Sequence, residues 1–389
     1  MAQARDPARI AIVIYLDHAA TTPMRPGVWD AMAPYTDLEF GNSSGIHLVS
    51  RRAKNALEEA RETIAAAIGA GTLEIVLTSG GTESDNLAIK GAVFNESARR
   101  GLVTVATEHE AVLETGDFLR RIGMPVTVVG VDPEGRVDVE DLVSVIDDGT
   151  AIVSVMLLNN ETGVVQDLAR IVAAVKARDP EVLVHTDAVQ AFASEPIDVA
   201  ALGVDLMSLA AHKFGGPKGV GVLYVREGTA LEPVQHGGGQ ELGRRSGTHD
   251  VGRAVGMAMA MDLALQDRED FGHRVGQIRG DFEKRLIAGV EGMVVNTPEH
   301  GRSPHHLNVR FPGVLNETLL VRMDLAGVAA SAGSACQSGA SEVSHVLEAM
   351  GLTPGQARES VRFSFGWPST MVEVEEAAAI VTDLVEKLR

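Results

Sequence analysis

Between Asp205 and Val225 the sequence DLMSLAAHKFGGPKGVGVLYV sets two lysines five residues apart between apolar runs. Lys218 sits in Gly-Pro-Lys-Gly, the composition of a tight turn, and reads as a surface charge. Lys213 follows the run DLMSLAA directly, after His212, which puts its amine at a strand end. Two other stretches bring chemistry to strand ends. In VLVHTDAVQ, Asp187 closes an apolar strand, and in open α/β sheets ligands bind outside the carboxyl ends of strands. In EIVLTSGGTESDNLAIKG, Gly80 and Gly81 separate a strand from a helix opened by Thr82, Glu83 and Ser84, so backbone N–H groups and a hydroxyl converge where an anion fits. Taken singly, these are a capped turn and a helix N-cap. Together, an amine, a carboxylate and a phosphate cup at the edge of one sheet are the parts that hold pyridoxal 5'-phosphate. The amine forms a Schiff base, the aspartate keeps the pyridine nitrogen protonated, and the cup takes the phosphate. The glycines match neither GxxxxGK[ST] nor GxGxxG, so fingerprints for nucleoside triphosphates and dinucleotides are absent there.

The elements that must position these residues alternate. From about Gly27 to Arg226 short β-branched runs are separated by helical patterns, the signature of βαβ units and of an α/β fold with a mainly parallel sheet covered on both faces. Seven runs are expected as strands: EIVLTS, LVTVATE, PVTVVGVD, AIVSVMLLN, VLVHTD, DLMSLAAH and GVLYVRE. After Gly247 a long helical region is followed by a separate strand-helix set, which places a large domain over 22–265 and a smaller α+β domain over 1–21 and 266–389. In the final helix, Ile380, Val381, Leu384, Val385 and Leu388 form one stripe, expected to be core. No internal repeat interrupts this order.

The 389 residues are 45% hydrophobic, enough for a large buried core. Their net charge of −19, from 53 acidic and 34 basic residues, argues against nucleic acid and anionic membranes as partners. The pairs Arg99-Arg100, Arg120-Arg121 and Arg244-Arg245 form no sustained basic stripe. The N-terminal apolar run Ile10 to Leu16 suits neither a signal peptide nor a membrane span, and a cytoplasmic protein is expected. The one cysteine, Cys336, permits no intrachain disulfide and no thiolate metal cluster. It lies in AASAGSACQSGAS, with Gly333 and Gly339 on either side and no apolar cover, which reads as a mobile loop with an exposed, reactive thiol.

The sequence resembles the cysteine desulfurases of the NifS and IscS type, within the fold-type I, class V aminotransferase superfamily, over nearly its whole length. The resemblance is carried by YLDHAATTP (15–23), FGNSSGIH (40–47), TSGGTESDNLAIKG (78–91), TEHEAVL (107–113), NNETG (159–163), HTDAVQ (185–190), HKFGGPKGVG (212–221), HGGGQELGRRSGT (236–248), SAGSACQSGAS (331–341) and VRFSFG (361–366). It implies a pyridoxal-phosphate enzyme in which Lys213 forms the Schiff base, Asp187 pairs with the pyridine nitrogen and His109 stacks on the ring. Gln190 is assigned to the ring hydroxyl and Asn160 to cofactor or substrate. The phosphate falls to Gly81, Thr82 and His212, with Thr248 reaching over from the second subunit of a homodimer. Asn42 and Arg362 match positions that grip the substrate carboxylate, a task suited to guanidinium geometry. Where family members commonly have Ser-Gly-His-Lys, this chain has Ala-Ala-His-Lys, so Ala210 replaces a phosphate-binding hydroxyl.

The activity implied is conversion of L-cysteine to L-alanine. Lys213 removes the α-proton, Cys336 attacks the substrate sulfur and keeps it as a persulfide, and His109 assists proton transfer. The sulfur then goes to an acceptor protein, for iron–sulfur cluster assembly or thiolation. An aminotransferase, a selenocysteine lyase or β-lyase, and a non-catalytic sulfur-carrier scaffold are the competing readings.

Overall fold

The computed structural model describes residues 13–333 and 343–389; Cys336 lies outside the described residues. All seven expected runs are strands of one sheet. After a short β1 (Ile14–Tyr15) come β2 (Ile75–Thr78), β3 (Gly101–Val105), β4 (Val126–Val129), β5 (Thr150–Ser154), β6 (Leu183–Asp187), β7 (Leu206–Ala210) and β8 (Gly221–Val225). The sheet order is β2-β8-β7-β6-β5-β3-β4. Pairs β4–β3, β3–β5, β5–β6 and β6–β7 are parallel, and β8 runs antiparallel to both neighbours. Strands covered on both faces have no solvent side to mark with polar residues, so β3, β5 and β7 are buried along their length. At the sheet edge, β4 keeps Thr127 and Val128 exposed.

The helix Gly81–Phe94 lies across the sheet, burying Leu87, Ala88, Ile89 and Val93 against Val76, Leu102, Ile152, Leu206 and Leu223. On the other face a larger core runs through the helices Leu48–Ala67 and Val251–Gly289 and on into the C-terminal part. There β9 (Val294–Val295), β10 (His306–Arg310) and β12 (Ser360–Ser364) form an antiparallel sheet, and β11 (Val328–Ala329) pairs in parallel with β1. The final helix, Met371–Leu388, starts in a capping box in which Thr370 and Glu373 satisfy each other's backbone N–H groups. It buries Val381 and Val385, with Ile380, Leu384 and Leu388 packed at the margin.

Position 265, where the sequence changes character, lies inside the uninterrupted 39-residue helix Val251–Gly289. Among the described residues no helix is long and apolar enough to cross a membrane.

Candidate active site

The C-terminal ends of the parallel strands open onto a cavity of about 170 Å³. Ten of the residues singled out in the sequence line it: Gly81, Thr82, His109, Asn160, Asp187, Gln190, Ala210, His212, Lys213 and Arg362. The topology explains the convergence. Asp187 is the last residue of β6, Lys213 ends the single 3-10 turn after β7, and Gly81 opens the helix after β2. His109 follows β3 as N-cap of the helix Glu110–Arg121.

The Lys213 ammonium donates to the main-chain oxygens of Ala19 (2.5 Å) and Ala20 (3.1 Å), so the segment after β1 forms its cradle. Gln190 Nε2 donates to the same Ala19 oxygen at 2.8 Å. Asp187 is buried, and its Oδ1 accepts from the Val189 N–H at 2.8 Å. Burial raises its pKa, against the opposing pull of His109, the Val189 N–H and Lys213. His109 Nδ1 accepts from the Ala111 N–H at 3.0 Å, so in the neutral ring the proton sits on Nε2. His212 is held neutral, pushed down to about 4 by burial and then by Lys213 and Lys218, with Nδ1 3.2 Å from the Thr21 hydroxyl.

At the mouth of the helix Gly81–Phe94 the backbone itself is shaped for an anion. Gly80 has φ +156°, and a Cβ built there would meet nothing within 4 Å, so open space adjoins the first N–H groups. A Cβ at Gly81 would lie 2.7 Å from Val189 Cγ2, so glycine lets the helix start come this close to the Asp187 turn. Ala210, buried, presents a methyl to the same cavity.

Arg362, on β12, is 1% exposed. Its Nη2 donates to Asp17 Oδ1 at 2.7 Å and its Nη1 to the Asn160 oxygen at 3.0 Å, while the buried Nε has no partner. Arg362 lines the cavity with its guanidinium fixed by Asp17 and the Asn160 main-chain oxygen, and a guanidinium held in one orientation suits a carboxylate ligand.

Two residues stay away from this cavity. Asn42 is exposed, with Oδ1 accepting from the Ser44 N–H, and Thr248 is exposed as well. Their segments meet through Ser43 Oγ and His249 Nδ1, 3.1 Å apart.

The sequence reading passed over several groups. Asp17 anchors Arg362, and the Ala19 and Ala20 oxygens hold Lys213. Glu161, buried beside Asn160, accepts from Ser344 Oγ at 2.6 Å, and a Cβ at Gly333 would sit 2.8 Å from its Oε2. One carboxylate therefore meets both flanks of residues 334–342, the stretch containing Cys336. Asp85 and Glu108 are buried carboxyls near Asp187, both pushed well above the usual carboxylate range by burial and then by Asp187.

An amine at the strand ends, a buried aspartate, an imidazole and a helix N-terminus beside open space are the donor set that pyridoxal 5'-phosphate requires, so the residues fit the group. They define a fold-type I pyridoxal-phosphate enzyme. Comparison with known proteins gives the family: residues 14–376 match Aminotransferase class-V, and the chain belongs to that family, in its cysteine desulfurase branch. It is 42% identical to the "Cysteine desulfurase IscS" of Dictyoglomus turgidum over 380 residues, covering 97% of this chain and 95% of the relative. Identity to the "Cysteine desulfurase IscS" of Neisseria meningitidis serogroup C is 44%, covering 97% and 93%. Among solved structures, a "NifS-like protein" superposes with a TM-score of 0.91 at 34% identity, covering 96% of this chain and all of the other. "SspA in complex with cysteine" gives 0.80 at 35% identity, covering 90% and 98%.

Proposed function

We propose that this chain converts L-cysteine to L-alanine and retains the sulfur as a persulfide on Cys336. The observation carrying this reading is the joint placement of Lys213, Asp187 and Arg362 around one cavity. Pyridoxal phosphate, when bound, supplies an aldehyde for covalent attachment and an electron sink for the pair released at the substrate α-carbon.

The protein's own groups do the rest. Lys213 Nζ would hold the cofactor's aldehyde, and its amine, at the same cavity, is the base for the substrate α-proton. Asp187 keeps the ring nitrogen cationic, and Gly81, Thr82 and His212 receive the phosphate. Arg362 orients the substrate by its carboxylate, which directs the thiol group of the substrate away from the guanidinium. The Cys336 thiolate attacks the substrate sulfur: a sulfur–sulfur bond forms, the carbon–sulfur bond breaks, and the carbon regains a proton on the way to alanine. His109, with its proton on Nε2, is the acid–base group at the cavity for these transfers.

A homodimer completes the site in this reading. Exposed apolar side chains gather where Asn42 and Thr248 lie: Phe40, Ile46 at 91% exposure, and Leu242 at 68% with a φ of +56°. Apolar exposure on that scale marks an interaction surface, and Thr248 would then serve the partner's phosphate. The persulfide sulfur passes to an acceptor protein of iron–sulfur assembly or thiolation, in the cytoplasm.

Incubation with L-cysteine under turnover, followed by intact-mass analysis and alanine quantification, tests the reading. The expected result is one added sulfur on the wild type, none on Cys336→Ser, and no alanine from the variant despite a retained cofactor chromophore. Undiminished alanine formation by Cys336→Ser would refute it.

A further inference from the structure

Beside Asp187, at the wall of the same cavity, lies a carboxyl that the reaction above does not use. Asp85 stands one turn into the helix Gly81–Phe94 and is 1% exposed. One of its carboxyl oxygens, one of Asp187 and a ring nitrogen of His109 all lie within 4.8 Å of one another. No lysine or arginine pairs with it among the described residues. Its Oδ1 is buried without a hydrogen-bond partner, 3.6 Å from His185 Nε2. That histidine lies between two hydroxyls, with Nδ1 2.9 Å from Ser154 Oγ and Nε2 3.0 Å from Ser208 Oγ. Full burial pushes it down to about 3, so it is uncharged at neutral pH.

The groups facing Asp85 are thus Asp187 and His185 from β6, Ser208 from β7, and His109 beyond β3, with Glu108 and Lys213 further around the cluster. Three buried carboxyls this close cannot all ionise. Asp187 has the most compensation, the Val189 N–H at 2.8 Å with His109 and Lys213 at the same cavity, whereas Asp85 has the Ser208 hydroxyl. Glu108 has an oxygen bonded to the Met156 N–H, but its Oε2 has no partner.

We propose that Asp85 is kept as the uncharged carboxylic acid and is a positioning residue for Asp187, leaving Asp187 the one anion that faces a cationic ring nitrogen. A second charge at Asp85 would drive the proton onto Asp187, and a protonated Asp187 has nothing to offer a pyridinium. Asp85 therefore fixes which carboxyl carries the charge. The inference deepens the functional reading and rests on it for the ring nitrogen alone.

Infrared difference spectra of the full-length protein, wild type against Asp85→Asn at neutral pH, read the protonation state directly. The expected difference is loss of a protonated-carboxyl C=O stretch; loss of a carboxylate doublet would overturn the proposal. The second arm is pyridoxal-phosphate affinity. Asp85→Ala removes the neutral carboxyl that holds the place of Asp187 and opens space beside it, and is expected to weaken binding by about tenfold or more, with Asp85→Asn, neutral and of the same shape, restoring it. Asp85→Asn as weak as Asp187→Asn would refute the role. Should Asp85→Ala fail to fold, Asp85→Asn decides by both readouts. If even the wild type bound no pyridoxal phosphate, the functional reading would fall, and the infrared arm would still answer for Asp85.

Discussion

Replacing Arg362 by lysine keeps the charge and removes the fork. In the structure the guanidinium spends one donor on Asp17 and one on the Asn160 main-chain oxygen, leaving three of its five N–H groups for other partners. A lysine ammonium has three donors on a single atom, and Asp17 and the Asn160 oxygen compete for them, so the substrate carboxylate loses at least one charge-assisted hydrogen bond. Such a bond contributes about 1.5–3 kcal/mol, and each 1.4 kcal/mol is about tenfold in rate. The expected fall in kcat/KM for L-cysteine is therefore about tenfold at the least. The control is cysteamine, which is cysteine without its carboxylate. Its turnover, however slow, makes no use of Arg362. The measurement is the ratio of kcat/KM for cysteine to that for cysteamine, in wild type and Arg362→Lys, with the cofactor chromophore confirming an intact site. A ratio unchanged by the substitution would refute the carboxylate role and leave Arg362 as a buried structural partner of Asp17.

Three further outcomes follow from single features. Ala210→Ser restores a hydroxyl at the phosphate end and should tighten pyridoxal-phosphate binding by roughly the value of one charge-assisted bond, about 1.5–3 kcal/mol; a dissociation constant within twofold of wild type would exclude contact with the phosphate. His185, buried and held at about 3 against 6.5 in the unfolded chain, takes up a proton only on unfolding. Its contribution to stability is complete above pH 6.5 and is lost at about 1.4 kcal/mol per pH unit as pH falls toward 3. Denaturant titrations of wild type and His185→Gln across that window should show a pH slope steeper by this amount in the wild type, the other buried histidines contributing to both, and parallel curves would contradict it. Leu242→Glu places a charge on the exposed apolar surface and should give monomers in sedimentation velocity where the wild type gives dimers; a variant that sediments as the wild type does would rule that surface out.

The sheet was legible because of burial. Strands covered on both faces read as unbroken apolar runs, so β3, β5 and β7 stood out, and βαβ order then put Asp187, Lys213 and Gly81 at one edge. Asp85 was not legible, since an aspartate in the first turns of a helix looks like a solvated charge; its burial arises because the helix lies flat on the sheet opposite His185 and Ser208. Asp17 was likewise silent, because its partner Arg362 is 345 residues away. In the long helix Gly256 serves packing, since a Cβ there would lie 2.5 Å from Met32 Sδ.

The helix Val251–Gly289 packs against Leu48–Ala67 at one end and against Met371–Leu388 at the other. At 1.5 Å per residue its 39 residues extend about 58 Å, with main-chain hydrogen bonds continuous through position 265. A clamshell motion of the C-terminal part over the cavity would have to snap this rod in mid-span. Substrate admission is thus left to the peptide segments around the rim, and the spacing of Lys213 from Arg362, proposed to hold an amino acid between them, stays constant through the cycle.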